Sequence, residues 1–316
     1  MQWTAFFELE TTLDKLILNG ILQAVVERSD LVILHSNVVT RASDVVNGHA
    51  RDAYIRFEEV RHKYFLRSGV QELEFPVSVS GVWSQYFDEF DAVGILDRYF
   101  DGWAANPLSK YWERIQKLRD HGVPDGLIKD SIQQTWTDAG LVASRLGTRM
   151  HREIECALRG SLFQRSIPEM VVFQRFVQEW LEPRQWTMYR VEWSIYDERA
   201  MVAGQIDAVF KDVSGTLHML DWKRVSHSLH PEAKRKFGRF GHGVCAHLVD
   251  NEFSHYALQQ NLYCALLKRK YDIVLGSMWL VQIHPDFDTY GVVVVPAWPM
   301  LADEMLDARN PGVAFE

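Results

Sequence analysis

Two carboxylates and an ammonium stand close together in Gly204-Gln205-Ile206-Asp207 and Leu220-Asp221-Trp222-Lys223. The residues between them, Lys211-Asp212-Val213-Ser214-Gly215-Thr216, read as a turn flanked by the apolar runs Ala208-Val209-Phe210 and Leu217-His218-Met219-Leu220. That pattern predicts a β-hairpin which sets Asp207 beside Asp221. Residues 221 and 223 share one face of a strand, so Lys223 projects next to Asp221, while Trp222 turns to the opposite face and leaves its carbonyl as a further ligand. Such a set suits phosphodiester cleavage: a hard divalent cation takes aspartate oxygens and offsets charge on the transition-state oxygens. Lys223 could then orient or deprotonate the attacking water, or stabilise the pentavalent oxygens. Taken alone, an Asp-x-Lys triplet also fits a strand end with a solvated ion pair.

A helical segment upstream adds two more ligand types. In Gly147-Thr148-Arg149-Met150-His151-Arg152-Glu153-Ile154-Glu155, His151 and Glu155 are four apart and share a face. Leu146, Met150, Ile154 and Leu158 form the apolar stripe. Gly147 precedes His151 by one helical turn, where a missing side chain lets another backbone or a phosphate come close. A lone helical histidine is more often structural; placed ahead of a two-aspartate hairpin it becomes a candidate ligand.

A net charge of −8 looks unsuited to a polyanionic partner. Local potential matters more than the sum. Beyond Arg224 the chain runs through Lys234, Arg235, Lys236 and Arg239, interleaved with Phe237 and Phe240. This stretch reads either as a loop that tracks a phosphate backbone and stacks on a base, or as a solvated loop. His242, Cys245 and His247 lack a fourth partner at suitable spacing, which weighs against zinc.

These side chains need elements to place them. Residues 8–28 read as an amphipathic helix, and 52–80 as a β-hairpin turning at Arg67-Ser68-Gly69. Residues 80–182 read as mostly helical, broken near Asn106-Pro107, Gly122-Val123-Pro124 and Ile167-Pro168. Three strands follow over 186–223, with Glu192 on the first as either a supporting acid or a solvated edge residue. A helix over 252–269, strands over 273–284 and 290–296, and a helix over 298–309 complete the chain. The expected fold is α/β, with a mixed central β-sheet flanked by helices over 141–316 and a mainly helical region with a hairpin over 1–140. Most of the tryptophans sit among apolar neighbours and read as core.

The blocks Gly147-Thr148 to His151 and Glu155, then Gly204-Gln205-Ile206-Asp207, then Asp221-Trp222-Lys223, then Gln259-Gln260-Asn261-Leu262-Tyr263 resemble the PD-(D/E)XK nuclease superfamily. Within it they are most similar to the RecB-like branch that includes the mitochondrial genome maintenance exonuclease and lambda-exonuclease-type enzymes. The segment from Ile55 to Asp91 is similar to a module preceding this core in proteins of large DNA viruses and some eukaryotes. The resemblance implies a restriction-endonuclease-like core in which His151, Asp207, Asp221 and the Trp222 carbonyl hold Mg²⁺ or Mn²⁺. Lys223 would be catalytic, with Glu155 as a supporting acid. Gln259 and Tyr263 would orient the nucleic acid or buttress the site. Asp221 stands where many members carry Glu, which shortens the reach by one methylene.

The implied activity is hydrolysis of DNA, by an exonuclease or a single-strand-specific enzyme acting on single strands or duplex ends. The alternatives are an RNA endonuclease of the cap-snatching type and a catalytically silent nucleic-acid-binding subunit of a replication or recombination complex. Three cysteines, Cys156, Cys245 and Cys264, are too few for an iron–sulfur cluster held only by thiolates. No Gly-x-x-x-x-Gly-Lys-Ser/Thr string occurs, so no nucleotide cofactor is expected and any helicase would be a partner chain. Neither an eighteen-residue apolar run nor a secretory leader is legible. The expectation is an intracellular protein of cytoplasm, nucleus, mitochondrion or virus factory, not secreted and without a membrane partner.

Overall fold

A computed structural model describes residues 30–39, 43–232 and 238–309. The helix expected over 8–28 lies outside them, as do Lys234, Arg235, Lys236 and Phe237 of the basic stretch. The described residues form a mixed α/β structure around a six-stranded sheet flanked by helices.

The sheet is built on the hairpin. Strands β7 (Thr187–Asp197), β8 (Val202–Lys211) and β9 (Leu217–Lys223) run antiparallel in succession. The β8–β9 turn closes because Asp212 accepts from the Ser214 and Thr216 amides at 2.9 Å each, while Gly215 takes φ 89°, a left-handed value that glycine adopts freely. β10 (Leu275–Gln282) joins β9 in parallel, and β11 (Gly291–Val294) closes that edge antiparallel.

β8 has a divided edge. β7 lies along one side for its whole length, whereas the other side pairs with β9 at Ala208–Lys211 and with β5 (Val77–Ser78) at Val202 and Ala203. Gly204 to Asp207 lie in the fork between those two neighbours, and the fork opens the site.

Outside the core, β2 (Ile55–Glu58), β3 (Lys63–Ser68) and β4 (Gln71–Glu74) make a three-stranded meander. The hairpin expected over 52–80 therefore gains a strand, its second turn falling after Ser68 as expected. Two short strands, β1 (Leu31–Ile33) and β6 (Leu162–Gln164), pair with each other.

The helices α1 (Ser43–Val46), α2 (Val79–Ser84), α3 (Ala92–Ala105), α4 (Trp112–Asp120), α5 (Asp125–Leu158), α6 (Pro168–Phe176), α7 (Glu252–Lys270) and α8 (Pro299–Asp307) break where Asn106-Pro107, Gly122-Val123-Pro124 and Ile167-Pro168 require. α5 runs 34 residues without interruption, straight through the expected division at 140/141. It stops at a glycine: Gly160 has φ 68°, its amide bonds the Ala157 carbonyl at 3.1 Å, and the Ser161 amide bonds Cys156 at 2.8 Å. α7 is buried nearly all round and starts at Asn251, whose side chain accepts from the Ser254 amide at 2.8 Å.

Two apolar cores sandwich the sheet, one around Trp193, Ile206, Leu258 and Leu262, the other around Met150, Ile154, Phe173 and Trp222. Gly204 sits where the first is tightest. A Cβ there would lie 2.7 Å from Tyr263 Cε1 and 2.9 Å from Val79 Cγ2. Gly204→Ala is therefore expected to destabilise the protein by about 1–3 kcal/mol, seen as a lower urea midpoint. An unchanged midpoint would contradict this seating of α2 and α7 on β8.

Candidate metal centre

The fork in the sheet, the inner half of α5, α7 and the meander enclose a cleft of about 900 Å³. His151, Glu155, Glu192, Asp207, Lys223, Gln259 and Tyr263 all line it. His151 Nδ1 stands 3.5 Å from Asp207 Oδ2, and that same oxygen accepts the Trp222 amide at 2.8 Å. Asp207 thus bridges the fork, because β9 has already parted from β8 at that level. Trp222 buries its ring between Phe173 and Phe176, as its alternation predicted.

The convergent set differs from the expected one. Among the described residues, His151, Glu192 and Asp207 are the group whose ligand atoms lie within 4.8 Å of one another. Asp221 stands outside that group: its Oδ2 lies 2.7 Å from Lys223 Nζ, off the line of a hydrogen bond, and is otherwise buried without a donor. Asp221 is near enough to feel both His151 and Asp207 electrostatically.

Glu192 reaches the cleft at an irregular point within β7. Its φ is 47°, a strained value for a side-chain-bearing residue, and it is skipped between the pairs Val191↔Ala208 and Trp193↔Ile206. Val191 packs in one core and Trp193 in the other, so both β7 and β8 exchange faces at the level of Glu192 and Asp207. Gln205 holds this point, its amide donating to the Glu192 carbonyl at 3.1 Å.

Lys223 is hemmed in by ligands of its own. Nζ lies 3.3 Å from Gln259 Oε1 and 4.3 Å above the Tyr256 ring. The Gln259 amide in turn donates to the Tyr263 hydroxyl at 3.1 Å. Gln259 and Tyr263 therefore buttress the lysine, and Tyr263 is buried against Gly204.

The electrostatics of the cluster follow from burial. Burial, and then the Lys223 ammonium, lower His151 to about 4, against the opposing pull of Asp221 and a backbone hydrogen bond with Trp222; the imidazole is neutral at physiological pH, as a ligand must be. Burial raises Asp207 and Asp221 to about 6 each even though Lys223 pulls both down. Glu192 is pushed well above the usual carboxylate range by burial first and Asp207 second. Burial opposes the charge on Lys223, yet Asp221 and Asp207 more than offset it, and the ammonium titrates above its ordinary value.

One imidazole and three carboxylates, Asp207 and Asp221 buried and His151 and Glu192 half-buried, face a single lysine and are short of positive charge, which fits a divalent cation. His151, Glu192 and Asp207 would hold it, with Asp221 beside them. Since Asp207 and Asp221 titrate near 6, protons compete with the ion below that pH. The Mn²⁺-induced rise in Tm should shrink by about half or more between pH 7.5 and pH 5.5, measured by differential scanning fluorimetry against EDTA. A rise independent of pH would place the ion elsewhere.

Two of the residues expected to contact nucleic acid lie away from the cleft. Arg224 turns from the cleft and gives Nε to Glu169 at 2.6 Å, a pairing with α6 in which Glu169 is 2% exposed. Arg239 lines a separate polar pocket with Asp88, Asp91 and Arg98. Arg152, on α5 one residue past His151, lines the cleft without any motif to mark it in the sequence.

No family model matches the chain, and no curated protein matches it. Solved structures do match. The crystal structure of SSO0001 aligns with a TM-score of 0.24 and 12% identity over 45% of this chain and 56% of that one, so the chain spans little more than half its length. At that score the likeness carries no argument. No helix among the described residues is long and apolar enough to cross a membrane.

Proposed function

We propose that the chain is a divalent-metal-dependent deoxyribonuclease of the PD-(D/E)XK type, working as an exonuclease or on single strands. The observation that carries this reading is the convergence of His151, Glu192 and Asp207 within 4.8 Å in one cleft that Lys223 also lines, its ammonium paired with the buried Asp221. A buried acidic ring alone would serve a structural ion. A cationic lysine held against it and open to the same cleft is what a phosphate needs.

A bound Mg²⁺ or Mn²⁺ would supply Lewis-acid polarisation of a phosphate oxygen, and the imidazole in the donor set suits Mn²⁺ the better. The protein's own groups do the rest. Lys223 remains an ammonium and places its charge where charge builds on the phosphoryl oxygens, which favours electrostatic stabilisation over proton abstraction. Gln259, fixed by Tyr263, holds that ammonium in position. Burial pushes Asp207 up to about 6 and raises Glu192 as well, so the site holds carboxylates that accept a proton more readily than free ones.

Incubation with end-labelled single-stranded DNA, duplex DNA and RNA, in Mn²⁺ and in EDTA, tests this. Expected is shortening of DNA in Mn²⁺ alone, and none with Asp221→Ala. RNA cut in preference would move the assignment to a ribonuclease. A mobility shift without cleavage in Mn²⁺ would leave only a binding subunit.

A further inference from the structure

The meander forms one wall of the cleft, and that wall is aromatic. Phe57, His62 and Tyr64 all line the cavity that holds the acidic ring. Phe57 and Tyr64 are cross-strand partners with centroids 4.7 Å apart, and His62 stands edge-on to Phe57 at 5.0 Å and 88°. Two rings at right angles make a corner: a flat group laid on one meets the edge or face of the other.

The corner is held rigidly. Tyr64 is 5% exposed and packs with Phe75 on Tyr196 and Ala203 of the central sheet, and Phe57 rests on that cluster. His62 ends the β2–β3 turn with φ 52°, its amide bonded to the Glu59 carbonyl at 3.2 Å. The His62 ring is exposed at the mouth of the cleft, held there by a left-handed turn residue.

Across the cleft α5 presents a different surface. Ser144, Gly147, Thr148 and Arg152 line it, and a Cβ at Gly147 would meet nothing within 4 Å. Hydroxyls, a bare backbone and a guanidinium suit a phosphodiester chain, while the opposite wall suits a base.

Building on the nuclease reading, we propose that Phe57 and His62 form a stacking corner that seats one unpaired nucleobase, so that the substrate is an unpaired strand or a frayed end. A paired base inside a duplex has both faces covered by its neighbours. It reaches the corner only after a pair is broken, and the site therefore discriminates by pairing without reading sequence.

The test is a twelve-nucleotide strand carrying 2-aminopurine at its end, titrated in Ca²⁺, together with Mn²⁺ cleavage of matched single-stranded and blunt duplex DNA. Expected are quenching on binding, roughly ten-fold weaker binding with Phe57→Ala, and a smaller loss with His62→Gly, which relaxes the turn. Phe57→Trp should restore binding, Val60→Ala on the same turn should change nothing, and the preference for single strands should fall in Phe57→Ala. Thermal unfolding of each variant separates loss of the ring from loss of the fold.

Wild-type affinity and quenching in both Phe57→Ala and His62→Gly would overturn the proposal, even with cleavage intact. Quenching that depends on Phe57 without any cleavage in Mn²⁺ would uphold the corner and remove the nuclease assignment instead. Neither binding nor cleavage would overturn both.

Discussion

Replacing Asp207 with Asn is expected to abolish metal-dependent cleavage and, at the same time, to make the metal-free protein more stable. The carboxylate is 8% exposed and burial pushes it up to about 6 from an ordinary 3.8. A group whose folded-state value lies above its unfolded value favours folding below the unfolded value. That contribution is lost as pH rises through the folded value, here between about 4 and about 6. At pH 7.5 in EDTA the charge is therefore a burden. Asparagine removes it and still offers an oxygen to the Trp222 amide, which now bonds Oδ2 at 2.8 Å.

The Tm in EDTA should rise by roughly 3–6 °C, while Mn²⁺ should lose most of its stabilising effect. Cleavage should drop by about a thousand-fold or more, the scale of losing a cation's stabilisation of the transition state. A variant that melts below the wild type in EDTA would show that Asp207 is structural.

Lys223→Met should be equally inactive but should move stability the other way. Among the described residues the ammonium is the cation paired with Asp221 Oδ2, at 2.7 Å, and Asp221 is 2% exposed. Removing one partner of a buried pair leaves an uncompensated charge and costs about 3–5 kcal/mol. The loss should ease at low pH, where Asp221 takes a proton. Asp221→Asn combined with Lys223→Met should recover most of the stability and none of the activity. Urea unfolding of the four proteins at pH 7.5 gives the coupling directly; a double variant as weak as Lys223→Met would rule out the pair as the source.

Much of this arrangement can be read along the chain, and the parts that cannot have separate causes. The β8–β9 hairpin is legible because Asp212 and Gly215 fix the turn locally, and α5 is legible from Met150, Ile154 and Leu158 at helical spacing. Glu192 is ambiguous because period-two alternation would put Val191 and Trp193 on one face; the left-handed φ that separates them has no glycine to announce it. Arg224 misleads for a different reason. Its partner Glu169 lies 55 residues upstream on α6, and no local pattern links the two. Glu192 joins His151 and Asp207 in the cluster that could hold an ion, while Asp221 lies beside it with Oδ2 against Lys223.

α5 spans about 51 Å at the usual rise of an α-helix, with Trp136 among the outer aromatics and His151 at the acidic ring. Trp136 and His151 stand on that one uninterrupted helix, so the outer aromatic cluster and the acidic ring share a single support.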